Sequence, residues 1–269
     1  MNGVFENYQT LDGSTLFLGA FFFTIQIYGD FSGYSDIAIG CARLFGIDLM
    51  QNFKYPYFSR DIAEFWRRWH ISLTTWFRDY IYIPLGGSRA GKWKSFRNTL
   101  VIFLVSGFWH GANWTFVAWG AYHALLFLPL LLLGQNRRYR DSVAENSFLP
   151  SVKELTQMGA TFLLVLLGWI LFRSEDISQA AVYLERMFNV SLFSAPQLVG
   201  LGFGQLLLKK CFFFTALMFV VEWIGRKQAH GLMIEDLSLP VRYVIYTVLL
   251  IIIYGFDASN PQGFIYFQF

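Results

Sequence analysis

Long runs of uncharged, mostly apolar residues alternate with short charged segments along the chain. The runs cover residues 13–29, 98–136, 155–172, a pair of segments around 206–223, and 243–256. A helix needs about 20 mostly apolar residues to cross the hydrocarbon core of a bilayer. The run at 98–136 has 39 residues, enough for two spans or for a re-entrant segment and a span. The pattern therefore predicts an all-α integral membrane protein, with five or six spans in one membrane domain over residues 1–269.

The charged residues are few and unevenly distributed. They make up 14% of the chain, against about 25% in an ordinary soluble domain. Ten of the 21 lysines and arginines lie in residues 30–97, and four more lie in residues 137–153. Cytoplasmic loops of membrane proteins are enriched in these cations, so both segments are expected on the cytoplasmic side and the start of the chain outside. No lysine or arginine precedes residue 13, which argues against a signal peptide and for a first span.

Spacing argues against several common kinds of site. Cys41 and Cys211 both lie beside apolar runs, so they are predicted to be small buried hydrophobic residues and not a disulfide or a metal pair. Residues 86–92 match the first seven positions of a phosphate-binding P-loop, but Trp93 stands where Ser or Thr must bind magnesium. We therefore expect no nucleotide hydrolysis, no bound metal or cofactor and no nucleic-acid partner.

His110 is the most informative of the four histidines because it lies inside the 39-residue uncharged run. A helix that enters the bilayer near Arg97 would place it roughly 20 Å deep, at about 1.5 Å per residue. Gly107 and Gly111 flank it, each weakening a helix by about 1 kcal/mol relative to Ala and letting backbone or substrate approach closely. An ionisable side chain at this depth is a functional candidate. A neutral histidine within helix packing is the alternative, and it is the interpretation favoured for His123.

A second histidine, His70, follows a dense stretch of aromatic and charged side chains. If this stretch is a helix, Glu64, Arg67 and Arg68 share one face at the spacing of ion pairs. One interpretation is an interfacial helix whose arginines contact anionic headgroups. The other is an electropositive opening for an anionic donor, such as a thioester on a phosphorylated carrier, and the two are compatible. Asp36, near the end of the first span, would be costly there unless it pairs with these arginines.

Four blocks of the sequence resemble, in the same order, the membrane-bound O-acyltransferase (MBOAT) family. They are residues 26–36 (QIYGDFSGYSD), 64–73 (EFWRRWHISL), 78–87 (RDYIYIPLGG) and 107–112 (GFWHGA). The branch that includes the alginate O-acetylation proteins is the most similar, down to residues 264–269, and the teichoic acid D-alanyl transfer proteins are more distant. The resemblance runs from about residue 20 to the last residue. It implies the C-terminal half of a family member, without the family's N-terminal spans.

The resemblance also implies a fold, a location and a reaction. The fold would be a multi-pass helical core with re-entrant and interfacial helices in the bacterial cytoplasmic (inner) membrane. His110 would be the catalytic base, and His70 a second catalytic histidine near the cytoplasmic opening. The acyl donor would be acetyl-CoA or another acyl thioester, and the acceptor a hydroxyl of an extracytoplasmic polysaccharide or glycan. A periplasmic SGNH-like acetyl-transfer protein would be the partner.

This reaction needs a group that takes a proton from the attacking hydroxyl, and imidazole, with an ordinary pKa of about 6.5, suits that task. Other side chains are expected to wall the acyl tunnel, orient the histidine or bind the donor. They are Arg67, Arg68, Arg78, Trp109, Asn113 and Asp36. Two further classes stay open: a transporter that uses the buried histidine in a proton or substrate pathway, and an inactive fragment or scaffold subunit.

Overall fold

The computed structural model describes residues 2–89, 91–197 and 205–255, and every regular element within those ranges is a helix. Those of 17 residues or more are α2 (Gly13–Leu44), α5 (Lys92–His110), α6 (Trp114–Leu132), α7 (Val152–Arg173), α9 (Gln205–Gly225) and α10 (Leu239–Gly255). Shorter α-helices in the same ranges are α1 (Asn2–Glu6), α3 (Ile62–Arg68), α4 (Ile71–Phe77) and α8 (Ile177–Met187). A π-helical segment, Arg78–Tyr82, continues α4, and 3-10 turns lie at Pro56–Phe58 and Val190–Phe193.

The apolar runs correspond to the long helices, with several differences at their edges. Helix α2 does not end at Gly29 but continues to Leu44, for 32 residues in all, because glycine weakens a helix without stopping it. The 39-residue run forms two helices, α5 and α6, joined by a short turn after His110. The pair expected around residues 206–223 is wrong: one helix, α9, covers this region, since no Gly or Pro interrupts it before Gly225. Helix α10 matches the last run as far as the described residues extend.

The cysteine prediction is half correct. Both thiols are free, but Cys41 is exposed and Cys211 is half-buried, so neither is the fully buried residue expected. The reason for Cys41 is its place on α2. Little of the described chain packs against the last turns of that helix, and its final residues, Arg43 and Leu44, are exposed too.

Two of the described helices, α6 and α7, are long and apolar enough to cross a membrane by length and composition, and α10 is a shorter apolar helix. Helix α7 lies in the centre of the main core. Its residues Val165, Leu166, Trp169 and Ile170 are at most 1% exposed. Between helices in lipid, contact of this kind stabilises through close packing more than through removal of apolar surface from water.

Helices α5 and α6 pack backbone against backbone through two glycines. A Cβ atom on Gly107 would lie 2.2 Å from the carbonyl oxygen of Phe116, and one on Gly120 would lie 2.2 Å from that of Phe103. Small residues allow such close approach of membrane helices. The flanking glycine at 107 therefore serves the approach of a neighbouring helix, and it fixes the position of the end of α5 that carries His110.

Candidate functional site

The site begins at the turn between α5 and α6. His110 is the last residue of α5, and α6 starts at Trp114 because the Asn113 side chain accepts a hydrogen bond from the backbone N–H of Thr115 at 3.1 Å. The Asn113 amide nitrogen also donates to the carbonyl of Glu175 at 2.7 Å, just beyond α7. Asn113 thus caps one helix and ties the turn to another, so its contacts shape the turn that follows His110.

Aromatic rings surround His110. The rings of Trp109, Trp119 and Phe172 lie edge-on to the imidazole, with centroids 5.0, 5.2 and 5.0 Å away, and that of Phe116 is 6.3 Å away. They come from α5, α6 and the end of α7. Three helices therefore hold the imidazole in place in an apolar setting.

His70 approaches the same place from the segment between α3 and α4. Its backbone is left-handed, with φ 45° and ψ 54°, a conformation that costs a non-glycine residue about 1 kcal/mol or more. Its Nδ1 atom is 3.1 Å from Oδ1 of Asn52, and its ring contacts that of Phe31 at 4.7 Å. Burial lowers the pKa of His70 to about 4, so its imidazole is neutral at pH 7.

The structure brings the two histidines together. The Trp109 ring contacts both, with its centroid 5.0 Å from that of His110 and 6.5 Å from that of His70. The two imidazoles are also close enough to interact electrostatically. Trp109 is 54% exposed, so this group is accessible from the surface of the described chain. We call His70 and His110 the histidine pair, and Trp109 is the tryptophan that contacts both.

The charged stretch before His70 forms an ion-pair cluster, made of Arg60, Glu64, Arg68, Asp141 and Glu154. Glu64 is buried, and its carboxylate accepts from Arg68 at 2.5 Å, as predicted, and from Arg60 at 3.0 Å. Arg60 also reaches Asp141 at 3.0 Å and Glu154 at 3.5 Å. Sequence reasoning missed Arg60, although it precedes Glu64 by one helical turn. The cluster joins α3 to the segment before α7.

The predicted donor-binding arginines separate into two groups. Arg68 belongs to the ion-pair cluster. Arg67 instead donates to the carbonyls of Asn136, at 2.5 Å, and Tyr139. Arg78 forms an exposed pair with Asp79 at 2.7 Å. Arg67 and Arg78 both line a cavity, and Arg68 does not.

This cavity has a volume of about 370 Å³ and lies between α3, α4, α5 and α6. Its walls are mostly apolar, and a third cation, Arg137, lines it together with Arg67 and Arg78. Ser106, one helical turn before His110, is also among its lining residues. Sequence reasoning did not select Arg137 or Ser106. We call this space the arginine-lined cavity.

Asp36 does not line the arginine-lined cavity. Because α2 continues past Gly29, Asp36 faces a second cavity of about 240 Å³, which is also lined by Glu222, Tyr28 and His230. The Tyr28 hydroxyl donates to the Glu222 carboxylate there. Asp36 is therefore not paired with the arginines as predicted, and its neighbours in this cavity are a tyrosine, a glutamate and a histidine.

His123, expected to be structural, is fully buried against the rings of Trp66 and Trp119.

Comparison with known proteins gives a consistent result. The model of the membrane-bound O-acyltransferase family, MBOAT, matches residues 2–147. The chain is 43% identical over 196 residues to a probable alginate O-acetylase, AlgI, of Pseudomonas aeruginosa, covering 71% of this chain and 36% of that protein. It is 39% identical over 169 residues to a peptidoglycan O-acetyltransferase of Helicobacter pylori, covering 63% and 31%. A teichoic acid D-alanyltransferase of Bacillus subtilis is 30% identical over 163 residues, covering 57% and 40%. The chain spans about a third of the length of these curated relatives.

Proposed function

This chain belongs to the membrane-bound O-acyltransferase family, and from that premise we propose that it transfers an acyl group, acetyl in the first instance, to hydroxyls of an extracytoplasmic polysaccharide. The relatives compared above are named for O-acetylation of alginate, O-acetylation of peptidoglycan and D-alanylation of teichoic acid. All three move a small acyl group onto a polymer. A thioester such as acetyl-CoA on the cytoplasmic side is the donor.

One observation carries the proposal: two histidines that are 40 residues apart in sequence meet at one tryptophan at the end of the α5–α6 hairpin. In the proposed reaction His110 takes the proton of the acceptor hydroxyl as its oxygen attacks the thioester carbonyl carbon. The carbon–sulfur bond then breaks, and the thiolate takes a proton from the imidazolium. A positioned base of this kind contributes about 10²- to 10⁴-fold to a rate.

The arginine-lined cavity suits the donor. Its volume of about 370 Å³ lies in the range of about 300–1,000 Å³ that is usual for small-molecule sites. Arg67, Arg78 and Arg137 supply positive charge for the phosphates of a coenzyme, and the apolar walls suit the uncharged arm that carries the thioester. Its lining at Ser106 directs the acyl end towards His110.

The distribution of lysine and arginine sets the proposed orientation of the chain in the membrane. The six long described helices are assigned to five or six spans of a single domain over residues 1–269, in the bacterial inner membrane. The cation-rich residues 30–97 and 137–153 face the cytoplasm, and the start of the chain lies outside. The acceptor reaches the hairpin from the outer side, where a periplasmic SGNH-like protein completes delivery to the polymer.

The test is acyl transfer in membranes that contain the chain. Membranes are given acetyl-CoA labelled in the acetyl group and a soluble polysaccharide acceptor. They contain either this chain alone or this chain with the remaining N-terminal part of the Pseudomonas aeruginosa relative as a second polypeptide. We expect labelled acceptor in at least one of the two, and about 10²- to 10⁴-fold less with His110→Ala. Absence of label from both, or full transfer by His110→Ala, would overturn the proposal.

A further inference from the structure

The side chain of Asn52 has an orientation that its hydrogen bonds fix. Its Oδ1 atom lies 3.2 Å from the backbone nitrogen of Ser72 and 3.0 Å from the Ser72 hydroxyl. A backbone N–H can only donate, so the atom that faces it must be the amide oxygen and not the amide nitrogen. The amide nitrogen points instead towards the Ser35 hydroxyl, at 3.4 Å.

The same oxygen determines where His70 carries its proton. Nδ1 of His70 is 3.1 Å from Oδ1 of Asn52 and 3.4 Å from the Ser72 hydroxyl. That hydroxyl gives its one proton to Asn52 at the shorter distance of 3.0 Å, and an amide oxygen only accepts, so the proton of the imidazole lies on Nδ1. The lone pair of a neutral imidazole with a proton on Nδ1 is on Nε2. In water the opposite tautomer, with the proton on Nε2, is the more populated one. The site therefore reverses the intrinsic preference of the ring.

We propose that Asn52 is a positioning residue that holds His70 in the Nδ1–H tautomer and so makes Nε2 the proton-accepting atom of this histidine. The second part of this inference, that Nε2 accepts a proton during acyl transfer, rests on the proposed function. The tautomer itself does not depend on it.

The backbone around both residues supports the assignment. The backbone N–H of Ile71 donates to the carbonyl of Asn52 at 2.9 Å, and that of Lys54 donates to the carbonyl of Arg68 at 2.9 Å. These two bonds hold residues 52–54 alongside residues 68–71. The left-handed backbone of His70 lies between them, and such a conformation persists only where the surroundings fix it. The distance between Asn52 and the imidazole is therefore set by main-chain bonds and not by chance contact of two mobile side chains.

The position of His70 gives the tautomer a consequence. Its ring neighbours Trp109, and His110 interacts with it electrostatically. With Nδ1 occupied by Asn52, any proton that enters the imidazole of His70 must arrive at Nε2. The proton that His110 takes from the acceptor hydroxyl can reach the departing thiolate by way of this nitrogen, which leaves both imidazoles neutral for the next turnover.

The direct test is nitrogen NMR of the chain in lipid nanodiscs with ¹⁵N-labelled histidine. The four histidines make the spectrum small, and the signals of His70 are assigned by their loss in His70→Gln. At pH 7.5 we expect Nδ1 of His70 at the shift of a protonated nitrogen and Nε2 at that of an unprotonated one. Asn52→Leu, which keeps the size but removes the acceptor, should move His70 towards the Nε2–H tautomer.

Two further variants separate the hydrogen bond from general disturbance of the fold. Asn52→Asp keeps an acceptor oxygen and should retain the Nδ1–H tautomer. Ser72→Ala removes only the hydroxyl, so the backbone N–H still orients Asn52 and the tautomer should persist. An unprotonated Nδ1 in the wild-type protein, or a His70 tautomer that Asn52→Leu leaves unchanged, would overturn the assignment.

The acyl-transfer assay tests the role in the reaction. Asn52→Leu should lower kcat by about 10- to 100-fold with little change in the KM for the donor, and Asn52→Asp should recover most of the loss. Gln51→Ala, a neighbour that faces the Asp36 cavity, should match the wild type. Wild-type kcat in Asn52→Leu despite a changed tautomer would overturn the role of Nε2. Absence of transfer by the wild-type protein with the expected NMR result would overturn the proposed function and leave the tautomer assignment standing.

Discussion

The ion-pair cluster and the histidine pair meet at one short segment, because residues 60–68 carry the cations of the cluster and His70 follows them. The two groups are built in opposite ways. In the cluster, the charge of Glu64 is met by Arg60 and Arg68 at 3.0 and 2.5 Å. Around His110 the neighbours are aromatic rings from three helices. The charges of the cluster pair with one another and join α3 to the residues around α7. The histidine pair instead places two imidazoles next to the exposed ring of Trp109.

Under the proposed function, the reaction lies beside the histidine pair and not where the charge is densest. Of the arginines expected to bind the donor, Arg68 is committed to Glu64 and only Arg67 and Arg78 line the arginine-lined cavity. Breaking the cluster should therefore lower the stability of the fold. Breaking the histidine pair should lower activity in a protein that remains folded. Three substitutions test this separation, from the largest expected effect on stability to the smallest.

Arg60→Met removes the central cation of the cluster. Its side chain is 3% exposed and that of Glu64 is 1% exposed. Removing one partner of a buried pair costs about 3–5 kcal/mol when the other charge is left unpaired. Because Glu64 keeps Arg68 as a partner, we take the lower end, about 3 kcal/mol. We expect this loss in the free energy of unfolding, measured by denaturant titration in micelles. The control is Arg78→Met, whose pair with Asp79 is exposed and worth about 1 kcal/mol or less. Equal losses in the two variants would contradict the structural role of the cluster.

Gly107→Ala tests the packing that positions His110. Its new Cβ would lie 2.2 Å from a backbone oxygen of α6, so α5 and α6 must separate, at a cost of about 1–3 kcal/mol. A displacement of about 1 Å at the reacting group is enough to lower a rate by about 10²-fold. Gly159→Ala is the matched control, since nothing lies within 4 Å of its Cβ position, and it should leave stability and transfer unchanged. Gly107→Ala with the thermal unfolding midpoint and transfer rate of the wild type would show that the close approach is unimportant.

Arg78→Gln should have the smallest effect. Because its guanidinium is exposed and lines the arginine-lined cavity, we expect the KM for acetyl-CoA to rise by about 3- to 10-fold at low salt and by less at high salt, with stability and kcat unchanged. Arg43→Gln, which removes a cation that lines another cavity, is the control. A KM that does not respond to Arg78→Gln at any salt concentration would place the donor elsewhere.

The sequence was sufficient to predict the all-helical fold and the membrane family, and it selected His110 as a candidate whose role stays a prediction. Apolar runs long enough to span are visible in the residues themselves, and so is a histidine without a charged neighbour. The length of residues 98–136 predicted two helical segments, but it did not show where one ends and the next begins. That choice depends on the Asn113 cap and on the contact of Gly107 with α6.

Other features depend on contacts that no local pattern contains. The meeting of His70 with His110 requires the backbone bonds between residues 52–54 and 68–71, so spacing could not predict it. Arg60 was missed as a partner of Glu64 because it lies before the start of α3 at Ile62, and the helical spacing rule was applied only to the residues after Glu64. Asp36 was expected near the arginines because Gly29 was taken as the end of a helix that in fact continues to Leu44.

The most direct test of the separation between the two regions is the acyl-transfer rate per folded molecule, measured in parallel for His110→Ala and Arg60→Met. The folded fraction of each is taken from size-exclusion chromatography of the protein in micelles. We predict that His110→Ala is folded to the extent of the wild type but transfers about 10²- to 10⁴-fold more slowly, whereas Arg60→Met loses folded protein and keeps a wild-type rate in the fraction that remains. A folded His110→Ala protein with the wild-type rate would contradict the account.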